Sequence, residues 1–153
     1  MKGNFYNSSI GKLLLIEDEV GIKEIKLIED RDKEEDVEIS ESDNIKLAIK
    51  ELSEYFEGKR REFTFKLSIK GTEFQKRVWK ELIKIPYGET RSYKEIAKAI
   101  GNENSSRAVG NANNKNKLLI VIPCHRVVGK NGSLVGYAYG LNKKDYLLKL
   151  EKF

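Results

Sequence analysis

The chain is poor in residues that make covalent or metal cross-links. It has one cysteine and one histidine among 153 residues. A single cysteine excludes an intramolecular disulfide framework and any multi-cysteine zinc site. With one histidine as well, a protein-only zinc cage would have to rely on carboxylates. No apolar run approaches the ~20 residues needed to cross a bilayer, and no cleavable signal peptide opens the sequence. A membrane span and secretion are therefore disfavoured. What is present is 39% hydrophobic and 35% charged. That is enough apolar material for a core, in one compact unit or two small ones.

Charge is unevenly distributed. Residues 1–69 hold 12 Lys/Arg and 17 Asp/Glu, and residues 70–153 hold 17 and 7. The halves thus carry net charges of −5 and +10. A basic half suggests a polyanionic partner, most simply nucleic acid, although solvated lysines would give the same count.

Residues 12–28 read as a hairpin: an apolar run from Leu13 to Ile16, turn chemistry at Asp18–Gly21, then Ile25 and Leu27 on one face. The acidic stretch 29–43 has only Val37 and Ile39 to pack, so it reads as a loop or a poorly covered edge strand. Ile45, Ala48, Ile49, Leu52, Tyr55 and Phe56 follow helical spacing, with Gly58 where a C-cap belongs. Phe63, Phe65, Leu67 and Ile69 alternate with polar residues and predict a half-buried strand. Thr72 with Gln75, and Ser92 with Glu95, have capping-box spacing. They open two helices, one with Phe74, Val78, Trp79, Leu82 and Ile83 inward, the other with Tyr93, Ile96, Ala97 and Ile100 inward. Ser105 or Ser106 starts a third helix of unusually small residues. With its predecessor it forms a helix-turn-helix candidate. Leu118–Ile122 reads as a buried strand ending at Pro123. A last helix starts near Asn142.

The only cysteine adjoins the only histidine, in Pro123-Cys124-His125-Arg126. A thiolate is a strong nucleophile, a histidine can take its proton, and a carboxylate can orient the histidine. A buried structural cysteine is the plainer alternative.

Ile122-Pro123-Cys124-His125-Arg126-Val127-Val128 resembles the active-site signature of the O6-alkylguanine-DNA alkyltransferases. Glu54–Gly58, Gly71–Gln75, Val78-Trp79, Ile85–Thr90, Ser92-Tyr93, Arg107–Gly110, Asn116, Gly136-Tyr137 and Glu151 also fall in that family's order and approximate spacing. The resemblance implies an α/β (α+β) protein. Residues 1–69 would form a small antiparallel sheet with one helix, ribonuclease-H-like, and residues 70–153 a helical DNA-binding and alkyl-acceptor domain.

It further implies direct-reversal DNA repair by a single-turnover methyltransferase. The alkyl group on O6 of a flipped guanine would pass irreversibly to Cys124. His125 would act as a water-mediated base, Glu151 would stabilise the imidazolium, and Asn116 would brace the turn carrying Cys124. Tyr93 would hydrogen-bond the guanine and later protonate it, and its bulk would crowd the phosphate. Arg107 would fill the space left by the extruded base. The Val127 carbonyl and Ala138 amide would contact guanine, beside Tyr137. Ser106, Ala108 and Gly110 would present a small face to the minor groove, which is only ~6 Å wide. The implied partner is duplex DNA, bound by a monomer with no membrane association and no cofactor or metal. The Lys/Ile/Asn bias suits a prokaryotic, cytoplasmic protein. Tyr139 stands where many relatives have glycine and predicts a narrower pocket mouth.

Alternatives are a lesion-recognition protein of the same lineage, a Cys-His hydrolase and a plain helix-turn-helix regulator. The first lacks an acceptor cysteine. The second needs an oxyanion hole the sequence does not advertise. The third leaves Cys124 and Glu151 unexplained.

Overall fold

The computed structural model describes residues 1–29 and 36–152. It divides into two compact units, residues 1–69 with 117–119, and residues 70–116 with 120–153.

The first unit is built on a four-stranded sheet in the order β3-β2-β1-β4. The strands are β1 (Lys2–Ser8), β2 (Gly11–Glu17), β3 (Ile22–Leu27) and β4 (Glu38–Ile39). The predicted hairpin is β2–β3, antiparallel with Leu13 opposite Leu27 and Leu15 opposite Ile25. Leu13 to Ile16 are all buried, so this central strand is covered on both faces and shows no alternation. β1 adds a second antiparallel ladder that sequence patterning did not reveal. β4 joins β1 in parallel, making the sheet mixed rather than purely antiparallel. Both its residues are exposed, which matches the edge-strand reading of 29–43 there. Residues 30–35 of that stretch lie outside the described residues.

Helix α1 (Asp43–Phe56) is capped by the Ser42 hydroxyl and packs Ile45, Ala48, Leu52 and Tyr55 inward. Gly58 follows it at φ +75°, the left-handed position a helix end favours.

The alternating segment 63–69 is not a ladder strand. It makes one parallel bridge, between Leu67 and Ile22, through Ile22 N–H to the Lys66 carbonyl and Ser68 N–H to the Ile22 carbonyl. Alternation fails at Ser68, which is buried while Ile69 is 36% exposed. The Ser68 hydroxyl donates to Asp18 at 2.7 Å and turns the chain. Gly21 permits the approach: a Cβ there would lie 2.5 Å from the Lys66 carbonyl oxygen.

The second unit is helical: α2 (Glu73–Ile83), α3 (Tyr93–Ala99), α4 (Ser106–Asn114) and α5 (Leu141–Leu150). Both capping boxes form, Thr72 with Gln75 and Ser92 with Glu95. Val78, Trp79 and Leu82 are buried as their spacing requires, but Ile83 faces outward at 47% exposure. Ile83 is the last residue of α2, where the helix ends. The Trp79 indole N–H donates to the Ala112 carbonyl at 2.9 Å, fastening α2 to α4. Helices α3 and α4, joined through Gly101 at φ +84°, make the helix-turn-helix.

Leu118–Ile122 is not a strand. Pairing stops after Leu118 bridges Ile25, and the chain enters a buried turn with Ile120 at φ +74°. A β-branched residue there stores ~1–3 kcal/mol of strain. The Asn116 amide closes the turn on the Ile122 carbonyl at 2.8 Å. Among the described residues no helix is long and apolar enough to cross a membrane.

Glu51, 1% exposed on α1, is the polar centre of the first unit. Its carboxylate accepts from the Thr64 N–H and hydroxyl at 2.7 and 2.6 Å and pairs with Arg60 at 3.1 Å. Glu51→Ala leaves these donors unmatched and is expected to cost about 3 kcal/mol, read by urea denaturation.

Candidate active site

One short pairing, two residues a side, places the site. β5 (Arg91–Ser92) runs parallel to β6 (Val127–Val128), with Arg91 opposite Val127. Tyr93, the first residue of α3, is thereby set beside the chain that leaves Cys124. Cys124–Arg126 form a single 3-10 turn after Pro123. This turn buries three consecutive functional groups: Cys124 is 6% exposed, His125 0% and Arg126 6%.

His125 Nε2 lies 2.6 Å from the Glu151 carboxylate. Arg126 grips the same carboxylate through Nε at 2.7 Å and an Nη at 3.1 Å, and its other Nη donates to the Ile85 carbonyl at 2.8 Å. Burial pushes the Glu151 pKa up. The hydrogen bonds and charges of His125 and Arg126 more than offset this and bring it to about 2. An ionised carboxylate only accepts, so His125 Nε2 carries the hydrogen. Burial pushes the His125 pKa below its usual value despite Glu151. The neutral ring therefore has a bare Nδ1, which is buried without a hydrogen-bond partner. Gly88, at φ +81°, lets the chain pass close to the end of α5: a Cβ there would meet the Glu151 carbonyl oxygen at 3.0 Å.

Burial also pushes the Cys124 thiol up. Hydrogen bonds from Asn116 and Tyr137 and the charge of Lys144 oppose the shift but do not cancel it. The resting acceptor is a thiol. Tyr93, half-buried rather than fully inward, donates its hydroxyl to the Val135 carbonyl at 3.1 Å. Burial and the Cys124 charge raise its pKa.

The structure thus brings together Cys124, His125, Glu151, Asn116, Tyr93, Val127 and Tyr137. Arg107 and Ala108 are exposed on α4, Ser106 and Gly110 half-exposed, and Ala138 exposed in a turn. Tyr93 and Ser106 share a cleft of about 560 Å³ with Ser92, Val128 and Lys130. A Cβ on Gly110 would meet the Tyr93 ring at an ordinary 3.8 Å, so packing does not demand glycine there. Ala112 is buried against α2. Among the described residues no three His, Cys, Asp or Glu side chains converge as a metal site.

Sequence reasoning gave no role to Arg126 or Lys144. Lys144 is fully buried. Its spacing held a signal, because Lys144, Leu147 and Glu151 lie at i, i+3 and i+7 on one helical face.

A buried thiol beside a carboxylate-anchored histidine, in a unit carrying a helix-turn-helix, defines a cysteine-based group-transfer protein with a nucleic-acid-binding fold. The family model for the DNA-binding domain of 6-O-methylguanine DNA methyltransferase matches residues 73–153, and that for its ribonuclease-like domain matches residues 1–69. The chain belongs to this family. A methylated-DNA–protein-cysteine methyltransferase of Methanosarcina acetivorans is 50% identical over 148 residues, 95% of each chain. The constitutive Bacillus subtilis counterpart is 42% identical, covering 97% of this chain and 96% of its own. The crystal structure of Mycobacterium tuberculosis OGT in complex with DNA superposes with a TM-score of 0.91 at 41% identity, covering 99% of this chain and 93% of that one.

Glu151 makes stability depend on pH. Its folded pKa lies below the ordinary 4.5, so its contribution is fully present above that value and is lost as pH falls toward about 2. The increment is on the order of 3 kcal/mol. Denaturant titrations at about pH 5 and pH 3 should show a smaller loss in Glu151→Gln than in the wild type.

Proposed function

We propose that this protein repairs alkylated duplex DNA by transferring the alkyl group from O6 of guanine to Cys124, once per molecule. The observation that carries this reading is the buried Cys124 thiol beside a histidine whose Nε2 is locked onto an ionised carboxylate. The family's curated members, named as methylated-DNA–protein-cysteine methyltransferases, support it.

The thiol proton passes through water to His125 Nδ1, and Glu151 stabilises the imidazolium. Sulfur attacks the alkyl carbon in line, the C–O6 bond breaks, and its electron pair enters the guanine ring. The Tyr93 hydroxyl protonates the base, and the proton taken by His125 restores the tyrosine. The net products are guanine and S-alkylcysteine. The atoms balance without a cofactor. With no second cysteine to take the alkyl group onward, the acceptor is spent.

Residues 70–153 serve as the DNA-binding and acceptor domain and residues 1–69 as its companion. Helix α4 enters the minor groove with Ser106, Ala108 and Gly110 leading. Exposed Arg107 fills the place of the flipped base, and the excess positive charge of residues 70–153 neutralises phosphates. Extrusion brings the O6 substituent to a thiol that could not otherwise reach it. The flipped guanine meets the Val127 carbonyl and the Ala138 amide, with Tyr137 beside it. Asn116, bonded to the Ile122 carbonyl and to Cys124, braces the acceptor turn. We place the protein in the cytoplasm, acting as a monomer.

Intact mass after mixing with duplex DNA containing O6-methylguanine tests this reading. One methyl adduct on Cys124, absent from Cys124→Ala, is expected. Lesion binding without an adduct would instead point to a recognition protein that transfers nothing.

Tyr139 packs edge-on against Tyr137, with ring centroids 6.2 Å apart. It narrows the pocket mouth, so methyl transfer is expected to outpace benzyl transfer. Tyr139→Gly should raise the benzyl rate several-fold and leave the methyl rate nearly unchanged. A wild type equally fast on both substrates contradicts this.

A further inference from the structure

We propose that Asn131 is a self-modification site. Its side-chain amide is lost to attack by the backbone nitrogen of Gly132, and the carboxylate left behind weakens the protein's hold on DNA. Deamidation follows from the turn alone, and its effect on DNA rests on the repair reading.

Asn131 is the one asparagine of 11 that precedes a glycine. It sits at φ +62° and ψ 25° in an exposed turn, a left-handed backbone that asparagine tolerates better than most side chains. Three backbone bonds close the turn. Gly129 N–H donates to the Ser133 carbonyl at 2.8 Å, Gly132 N–H to the Gly129 carbonyl at 3.1 Å, and Ser133 N–H to the Lys130 carbonyl at 3.4 Å. The Asn131 amide makes no hydrogen bond to any described residue. Gly132, at φ +76°, is exposed, and a Cβ there would meet nothing within 4 Å. No side chain therefore shields its nitrogen.

Nucleophile and target are on neighbouring residues, so ring closure is intramolecular. Local opening frees the Gly132 N–H from the Gly129 carbonyl, and rotation about the Asn131 ψ brings the nitrogen to the side-chain Cγ. The N–Cγ bond forms as the nitrogen gives up its proton, and the bond from Cγ to the side-chain nitrogen breaks with release of ammonia. Water opens the resulting cyclic imide at either carbonyl, giving aspartate or isoaspartate. Water is the only co-reactant, and a neutral residue becomes an anion.

Asn131 lines the cleft of about 560 Å³ that holds Tyr93 and Ser106. The charged residues of that lining are Lys94, Lys130 and Glu95, a net charge of +1. A carboxylate at position 131 cancels that excess on the side of the molecule where the phosphates of a bound duplex would lie. Isoaspartate also lengthens the backbone of the turn by one carbon and redirects it.

Peptide mapping by mass spectrometry, on wild-type protein aged in mildly alkaline buffer, tests the modification. The mass gain of amide-to-acid conversion is expected at Asn131 several-fold faster than at any other asparagine, and is expected to vanish from that position in Asn131→Gln. No gain at Asn131, or a gain no faster than elsewhere, overturns the proposal. Asn131→Asp installs the charge without the wait. It is expected to bind undamaged duplex DNA several-fold more weakly than the wild type at low salt, with the difference shrinking as salt rises. Wild-type affinity in Asn131→Asp overturns the effect on DNA. Wild-type protein that binds no duplex would instead contradict the repair reading, and the mass gain would still report on Asn131.

Discussion

The second unit depends on one buried anion. Glu151 sits at the C-terminal end of α5, 3% exposed, and remains ionised because His125 and Arg126 both donate to it. Remove the carboxylate and Arg126 becomes an unmatched buried cation, while His125 loses the partner that fixes its tautomer. The same carboxylate ties α5 to the acceptor turn, and Arg126 carries the tie on to the Ile85 carbonyl at the end of α2. Fold and chemistry share these bonds, so damage to the catalytic anchor is also damage to the unit.

Around that anchor the site is assembled but at rest. The thiol is kept protonated by burial, and the histidine is neutral with one nitrogen bare. A protonated thiol reacts slowly with stray electrophiles. For an acceptor spent in one transfer, as proposed above, that restraint would preserve capacity until a substrate is seated. The donors and charges that favour the thiolate (Asn116, Tyr137, Lys144) are already positioned, so ionisation needs little rearrangement.

Local chemistry was legible in the sequence wherever a few adjacent residues decide it. Both capping boxes, the α1 stripe ending before Gly58, and the Val78, Trp79 and Leu82 stripe follow from spacing alone, whereas Ile83 at the helix end does not. Cys124, His125 and Glu151 were legible through the family resemblance, and the structure brings them together. What escaped were features set by distant partners. β1 has no strong alternation, because its pairing with β2 fixes it. The Leu118–Ile122 run has strand composition, yet Ile120 is forced left-handed by the turn that Asn116 closes. The 63–69 segment has strand alternation but little ladder to join. Lys144 looks like one more lysine in a Lys-rich helix. Only the converging carbonyls of Val127, Val135 and Gly136, to which its ammonium donates, make it different, and they come from two other segments.

Glu151 fixes the tautomer of His125 and leaves Nδ1 bare, where the proposed transfer needs it to take the thiol proton. The chain has a single histidine, so nitrogen-15 NMR of the labelled imidazole reports on it without ambiguity. At neutral pH the expected state is a neutral ring with the proton on Nε2 and an unprotonated Nδ1. A proton on Nδ1, in a neutral or a charged ring, would contradict it.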